Sequence, residues 1–178
     1  LTVEGIDATT TTDSIAVELM SRADNRLDGL TLQGHIRAPN QTSGSCVEIG
    51  QNTGQTEDVN VNITVEGSGN AAVFIASTDR VSGNIHVINP PDKTVDVFAH
   101  SDYTCDGHNL SVTADGATEY GVRYRGKNNS LGDGTCSNNK IDGSVTASGT
   151  KDVKFGAAAK DSKFVGVADT TADDEGSN

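Results

Sequence analysis

Tryptophan is absent from this chain, methionine occurs once, proline three times, and aromatic residues fill only 4% of its 178 positions. Basic residues are also short, with 13 Lys plus Arg against 25 Asp plus Glu and a net charge of −12. A polyanion is repelled at long range by such a surface, so nucleic acid and anionic lipid are poor partners. No window approaches a membrane-spanning run of apolar residues, which argues against membrane insertion. The opening Leu1 begins no signal peptide, and the chain reads as a mature or trimmed piece of something longer. Good helix formers are scarce, while Gly and Thr (20 each) and Asn (14) are abundant and Asp outnumbers Glu 18 to 7. That balance excludes a helical bundle and favours β structure with many polar turns. The length is that of one domain.

The 34% apolar fraction would fit disorder if it were scattered. It is periodic instead. A Val-x-apolar segment recurs at Val17–Leu19, Val47–Ile49, Val73–Ile75, Val95–Val97, Val122–Tyr124 and Val153–Phe155. Between these runs a second alternating pattern: Leu32–Ile36, Val59–Ile63, Val81–Ile85, Leu110–Ala114, Ile141–Val145 and Phe164–Ala168. Two short strands per unit cannot bury an apolar face alone, so like positions must stack on like in neighbouring units. The expected fold is all-β, a right-handed parallel β-helix of about six coils over residues 14–169. Residues 1–13 would form an N-terminal cap or linker and 170–178 a polar tail. Stacked at roughly 4.8 Å, the coils make a rod of about 25 to 30 Å.

From the second strand to the next first strand the spacing is nearly constant, whereas the return connections vary widely and so collect loops along one edge. Insertions on one side of a solenoid commonly mark its binding face. The richest loop, Ala99–Asn109, carries His100, Asp102, Tyr103 and His108. Its neighbour, Gly126–Lys140, adds Lys127, Asn128, Asn129 and Asp133. Together they are candidate glycan contacts, with Tyr103 as a stacking platform and the others as donors and acceptors for hydroxyl groups. The outward column of the first strand reads Glu18, Glu48, Phe74, Asp96, Arg123, Lys154. Glu18 and Glu48 stack as like charges and are candidate Ca²⁺ ligands or acid/base residues. No phosphate-binding loop is present, which dismisses nucleotide binding, and no other cofactor is implied.

Cys105 and Cys136 each lie five residues before a second strand, so the repeat places them at the same point of adjacent coils. Neighbours about 5 Å apart suit a disulfide. The expectation is a Cys105–Cys136 bond with Cys46 free beside Val47, in an oxidising compartment. Sequons at Asn40, Asn62, Asn109 and Asn128 agree with an extracellular location. The Asp-rich, Lys-poor surface resembles that of proteins from extreme halophiles. Polar residues before the second strands, among them Asp58, Asp79, Asn109 and Asn139, are expected to form a ladder satisfying turn backbone.

The coil length and the Val81-Ser-Gly-Asn-Ile85 strand resemble the right-handed β-helices of the pectin-lyase-like superfamily. The resemblance implies the fold and raises two enzymatic classes, polysaccharide lyase and glycoside hydrolase. Of the hydrolase patterns of that superfamily, Asn-Thr-Asp, Gly-His-Gly and Arg-Ile-Lys are absent, and Asp-Asp occurs only as Asp173-Asp174 in the polar tail. The expected function is accordingly a non-catalytic structural and adhesion module of a cell or virion surface, presenting loops to a glycan or receptor. A fragment of a carbohydrate-active enzyme and a self-assembling surface filament subunit are the alternatives. A homo-oligomer or larger assembly is expected, because Val165 and Val167 face outward in the last coil.

Overall fold

Each repeat contributes one strand to each of two parallel sheets. In one sheet, Val17–Leu19, Ser45–Gly50, Ala71–Ala76, Lys93–Ala99, Tyr120–Gly126 and Lys151–Phe155 lie side by side in chain order. In the other, Thr2–Thr9, Leu27–Ala38, Thr56–Gly67, Ser82–Ile88, Asn109–Ala117, Lys140–Ala147 and Lys163–Val167 do the same. The computed structural model describes residues 2–9, 15–20, 27–50, 54–67, 69–100, 102–126, 128–129, 132–148, 151–156 and 159–167. Among them no helix occurs, and the strands stack as a parallel β-helix of about five turns. The repeat predicts about six coils, and about five turns are observed.

A third, shorter line of pairing turns the chain from the first sheet back to the second. Thr78–Asp79 pairs with Thr56–Gly67, Thr104 bridges Thr135, and Cys136–Ser137 pairs with Ala159–Lys160. The core fills the space inside these three lines.

The first sheet has the register that the repeat predicts. Val17, Val47, Val73, Val95, Val122 and Val153 are partners in unbroken succession. β-branched side chains suit this pleated stack, and from Val47 to Val122 each is fully buried. In the second sheet the register departs from the expectation at two joins. Leu32 pairs with Val61 rather than Val59, and Leu110 pairs with Gly83 rather than Val81. Both slips are of two residues, so every side chain keeps its face; a slip of one would have inverted the strand. With the observed partners, 12 residues separate Val61 from Val73, Gly83 from Val95, Leu110 from Val122 and Ile141 from Val153. Leu32 to Val47, at 15 residues, is longer, but from Val61 onward this connection is constant and the length variation there lies in the return connections.

Glycine makes the Gly83 register possible. Its φ is +118°, and a Cβ there would lie 2.0 Å from the Val61 carbonyl oxygen, so no other residue allows this close approach of adjacent rungs.

Thr2–Thr9 is a strand paired in parallel with Leu27–Ala38, with a register shift between Val3 and Ile6. Gly5, at φ +65°, sits within that shift as the extra residue of a bulge. The polar tail 170–178 lies outside the described residues.

Candidate functional site

The return corner of the middle coils is an internal polar cluster. Asp79 accepts hydrogen bonds from Thr104 Oγ1 (2.8 and 2.9 Å) and from the Asp106 amide (2.8 Å), and Asp106 in turn accepts from the Ser137 amide at 2.6 Å. Asn139 Oδ1 accepts from the His108 amide (2.8 Å), while its Nδ2 donates to the Cys105 carbonyl (3.0 Å). These side chains satisfy turn backbone from coil to coil, which is the ladder role expected of Asp79 and Asn139.

His108 belongs to this interior and not to a surface. It is 1% exposed, with Nε2 2.6 Å from the Thr78 carbonyl and Nδ1 2.9 Å from the Tyr124 hydroxyl. A carbonyl can only accept, so Nε2 carries the proton and Nδ1 accepts from Tyr124. Burial, opposed by the Thr78 hydrogen bond and the Asp79 charge, lowers the imidazole pKa to about 4. The expectation that His108 contacts a glycan is thereby corrected: the loop turns its ring inward because Tyr124 and Thr78 complete both nitrogens there.

Cys105 and Cys136 occupy adjacent coils at the same point, as the register predicts: the Cys105 amide donates to the Thr135 carbonyl at 2.9 Å. No disulfide joins them. None of Cys46, Cys105 and Cys136 is in a disulfide, and all three are buried. Cys136 Sγ lies 3.5 Å from the Arg125 carbonyl, a hydrogen-bond partner that a bonded sulfur could not donate to. Burial pushes the Cys46 thiol up to about 11, and burial together with the neighbouring Cys136 pushes Cys105 well above its ordinary value.

Tyr103 is half-buried and its amide donates to the His100 carbonyl (3.0 Å), closing a turn in which Asp102 has φ +68°. His100 packs its ring edge-on against Phe98, with centroids 5.9 Å apart. Asn128 and Asn129 pair with Asp133 and Gly132 in a small antiparallel hairpin. Lys127 lies outside the described residues. Of the sequons, Asn40 and Asn109 are exposed and Asn62 is half-buried within a strand.

On the first sheet's outer face the observed register aligns Glu18, Glu48, Phe74, Asp96, Arg123 and Lys154 as expected. Burial, and then the charge of Glu18, raises the Glu48 carboxyl above its ordinary value. Among the described residues no three His, Cys, Asp or Glu side chains form a set that would hold a metal ion. Asp96, 1% exposed, receives two hydrogen bonds from Arg123 (2.9 and 2.8 Å) and two from Arg125 (3.2 and 3.0 Å). Burial pushes its carboxyl up, but the two guanidinium groups outweigh that and hold it below the usual range. Arg125 lies 4.5 Å over the Phe98 ring, which stacks on Phe74 at 6.5 Å.

The second sheet's outer face carries the arrangement that loop-centred reading misses. Asn62, Asn84 and Ser111 occupy one outward column, and Thr64, His86 and Thr113 the next. These six side chains line a shallow depression of about 240 Å³. Asn84 Nδ2 donates to Asn62 Oδ1 (2.8 Å), Asn62 Nδ2 to Asn60 Oδ1 (2.8 Å), and Asn60 Nδ2 to Ser82 Oγ (3.2 Å). An Asn ladder of this kind fixes amide orientation along the rungs, leaving uncharged donors and acceptors at strand spacing. The signal was present in the sequence as the polar members of the alternating pattern.

No family model matches the chain, and neither a curated protein nor a solved structure matches it.

Proposed function

We propose that the chain is a non-catalytic extracellular structural and adhesion module of a cell or virion surface, a rigid rod that binds a glycan or receptor along its second sheet. The observation that carries this reading is the depression lined by Asn62, Asn84, Ser111, Thr64, His86 and Thr113. It offers neutral hydrogen-bonding groups on regular strands, which suits sugar hydroxyls and costs little ordering on binding. The pectin-lyase-like resemblance and an oligomeric assembly belong to the same proposal; the 51% exposure of Val165 on a terminal strand supports the latter. The acidic, Lys-poor composition supports a halophilic source.

The test is a glycan-array screen followed by amide chemical-shift titration with the best oligosaccharide. Shifts should centre on residues 62–64, 84–86 and 111–113, and His86→Ala with Thr113→Ala should weaken binding about fivefold each, one hydrogen bond's net contribution. Shifts confined to the Ala99–Asn109 loop, or no ligand on the array, would sink the assignment.

An enzymatic reading has one observation in its favour, the stacked Glu18 and Glu48 with the raised Glu48 carboxyl. Turnover of acidic polysaccharides, with or without Ca²⁺, that Glu48→Ala abolishes would replace adhesion by catalysis.

A further inference from the structure

Lys93 is a buried lysine, its side chain only 6% exposed. Its Nζ lies 2.6 Å from Asn70 Oδ1 and 2.5 Å from Glu119 Oε2. The three residues come from three successive coils. Lys93 is the register partner of Ala71 on one side and Tyr120 on the other, so Asn70 and Glu119 each sit one residue before those partners. Backbone hydrogen bonds lock the arrangement: Lys93 N to Asn70 O (3.0 Å), and both Glu119 N and Tyr120 N to Asp92 O (2.8 and 2.9 Å). An amine, a carboxamide and a carboxylic acid are thus held together by rigid strands.

We propose that this triad forms an intramolecular isopeptide bond between Lys93 and Asn70. Glu119 accepts a proton from the Lys93 ammonium, freeing the Nζ lone pair to attack Asn70 Cγ. The tetrahedral adduct collapses as the protonated Glu119 returns a proton to the carboxamide nitrogen, which leaves as ammonia, and the regenerated Glu119 carboxylate takes the second Nζ proton, leaving a neutral amide. A C–N bond to Nζ forms, the Cγ–Nδ2 bond breaks, and no oxidant or external reagent enters the balance. Fixed contact replaces a bimolecular encounter, the setting in which effective molarities become very large. The product would be a covalent rung between neighbouring coils, resisting their separation under load.

The readout is the mass of the intact chain produced in a bacterial host. The cross-link lowers it by about 17 Da, the mass of one ammonia. Peptide mapping should then show a branched species joining the Asn70 and Lys93 segments, with no tryptic cleavage after Lys93. Asn70→Ala, Lys93→Arg and Glu119→Gln should each restore the full sequence mass. A wild-type chain of full mass overturns the proposal, as does a 17 Da loss with Lys93 still cleaved by trypsin. Persistence of the branched peptide in Glu119→Gln overturns the role given to Glu119. None of these outcomes depends on whether the outer face binds a glycan.

Discussion

Acidification should weaken the fold through His108 by an amount that the structure specifies. In the unfolded chain the imidazole titrates at 6.5, whereas in the interior it does so at about 4. The folded state therefore binds fewer protons between those values, and stability falls as pH drops from 6.5 towards 4. The full contribution is present above pH 6.5, and below about 4 nothing further is lost from this group. A gap of roughly 2.5 pH units at 1.36 kcal/mol each amounts to about 3 kcal/mol. Protonation also removes the acceptor that Nδ1 offers to Tyr124, while Asp79 is the charge favouring the imidazolium. His108→Gln provides the reference. Its amide can donate towards Thr78 and accept from Tyr124, and it does not titrate. Urea unfolding of both proteins at intervals from pH 7.5 to 4 isolates the histidine, because Asp96, Glu48 and Asp106 titrate alike in each and cancel. The wild type should lose about 3 kcal/mol more than the variant across that window. Parallel stability curves would refute the buried neutral imidazole.

The three buried thiols should be inert to an aromatic disulfide reagent in the native protein at pH 8 and should all react once guanidinium chloride unfolds it; fewer than three equivalents in denaturant would mean that two of them are bonded. Gly83→Ala should destabilise by about 2 kcal/mol or more, measured by urea midpoint, since the new Cβ meets the Val61 carbonyl at a φ that side chains rarely adopt. Asp96→Ala leaves Arg123 and Arg125 facing each other over a lost carboxylate and should cost about 3 kcal/mol, less in strong salt. A halophilic origin predicts a thermal midpoint that climbs between roughly 0.1 M and 3 M NaCl as the −12 charge is screened, and an unchanged midpoint removes that reading.

The sequence carried the architecture because burial in a β-helix is written in two periods at once. Alternation along a strand says which residues face inward, and recurrence between units says which strands are neighbours. The valine ladder from Val17 to Val153 satisfies both, so the first sheet's register is legible residue by residue. The second sheet is legible only to the nearest even slip. Val59 and Val61 are equally apolar and equally inward, and no local pattern prefers one of them as the partner of Leu32; the close approach at Gly83 and the 12-residue connection to the next first strand decide it in space. The same logic explains what was misplaced among the candidate residues. A loop rich in His, Asp and Tyr looks like a surface site, but sequence does not reveal which way a turn aims its side chains, and His108 finds its partners, Thr78 and Tyr124, 30 and 16 residues away on other coils. Asn70, Lys93 and Glu119 were invisible for a related reason. They occupy three different coils, each at an unremarkable polar position where a strand begins, and only the stacking of those coils makes them a chemical group.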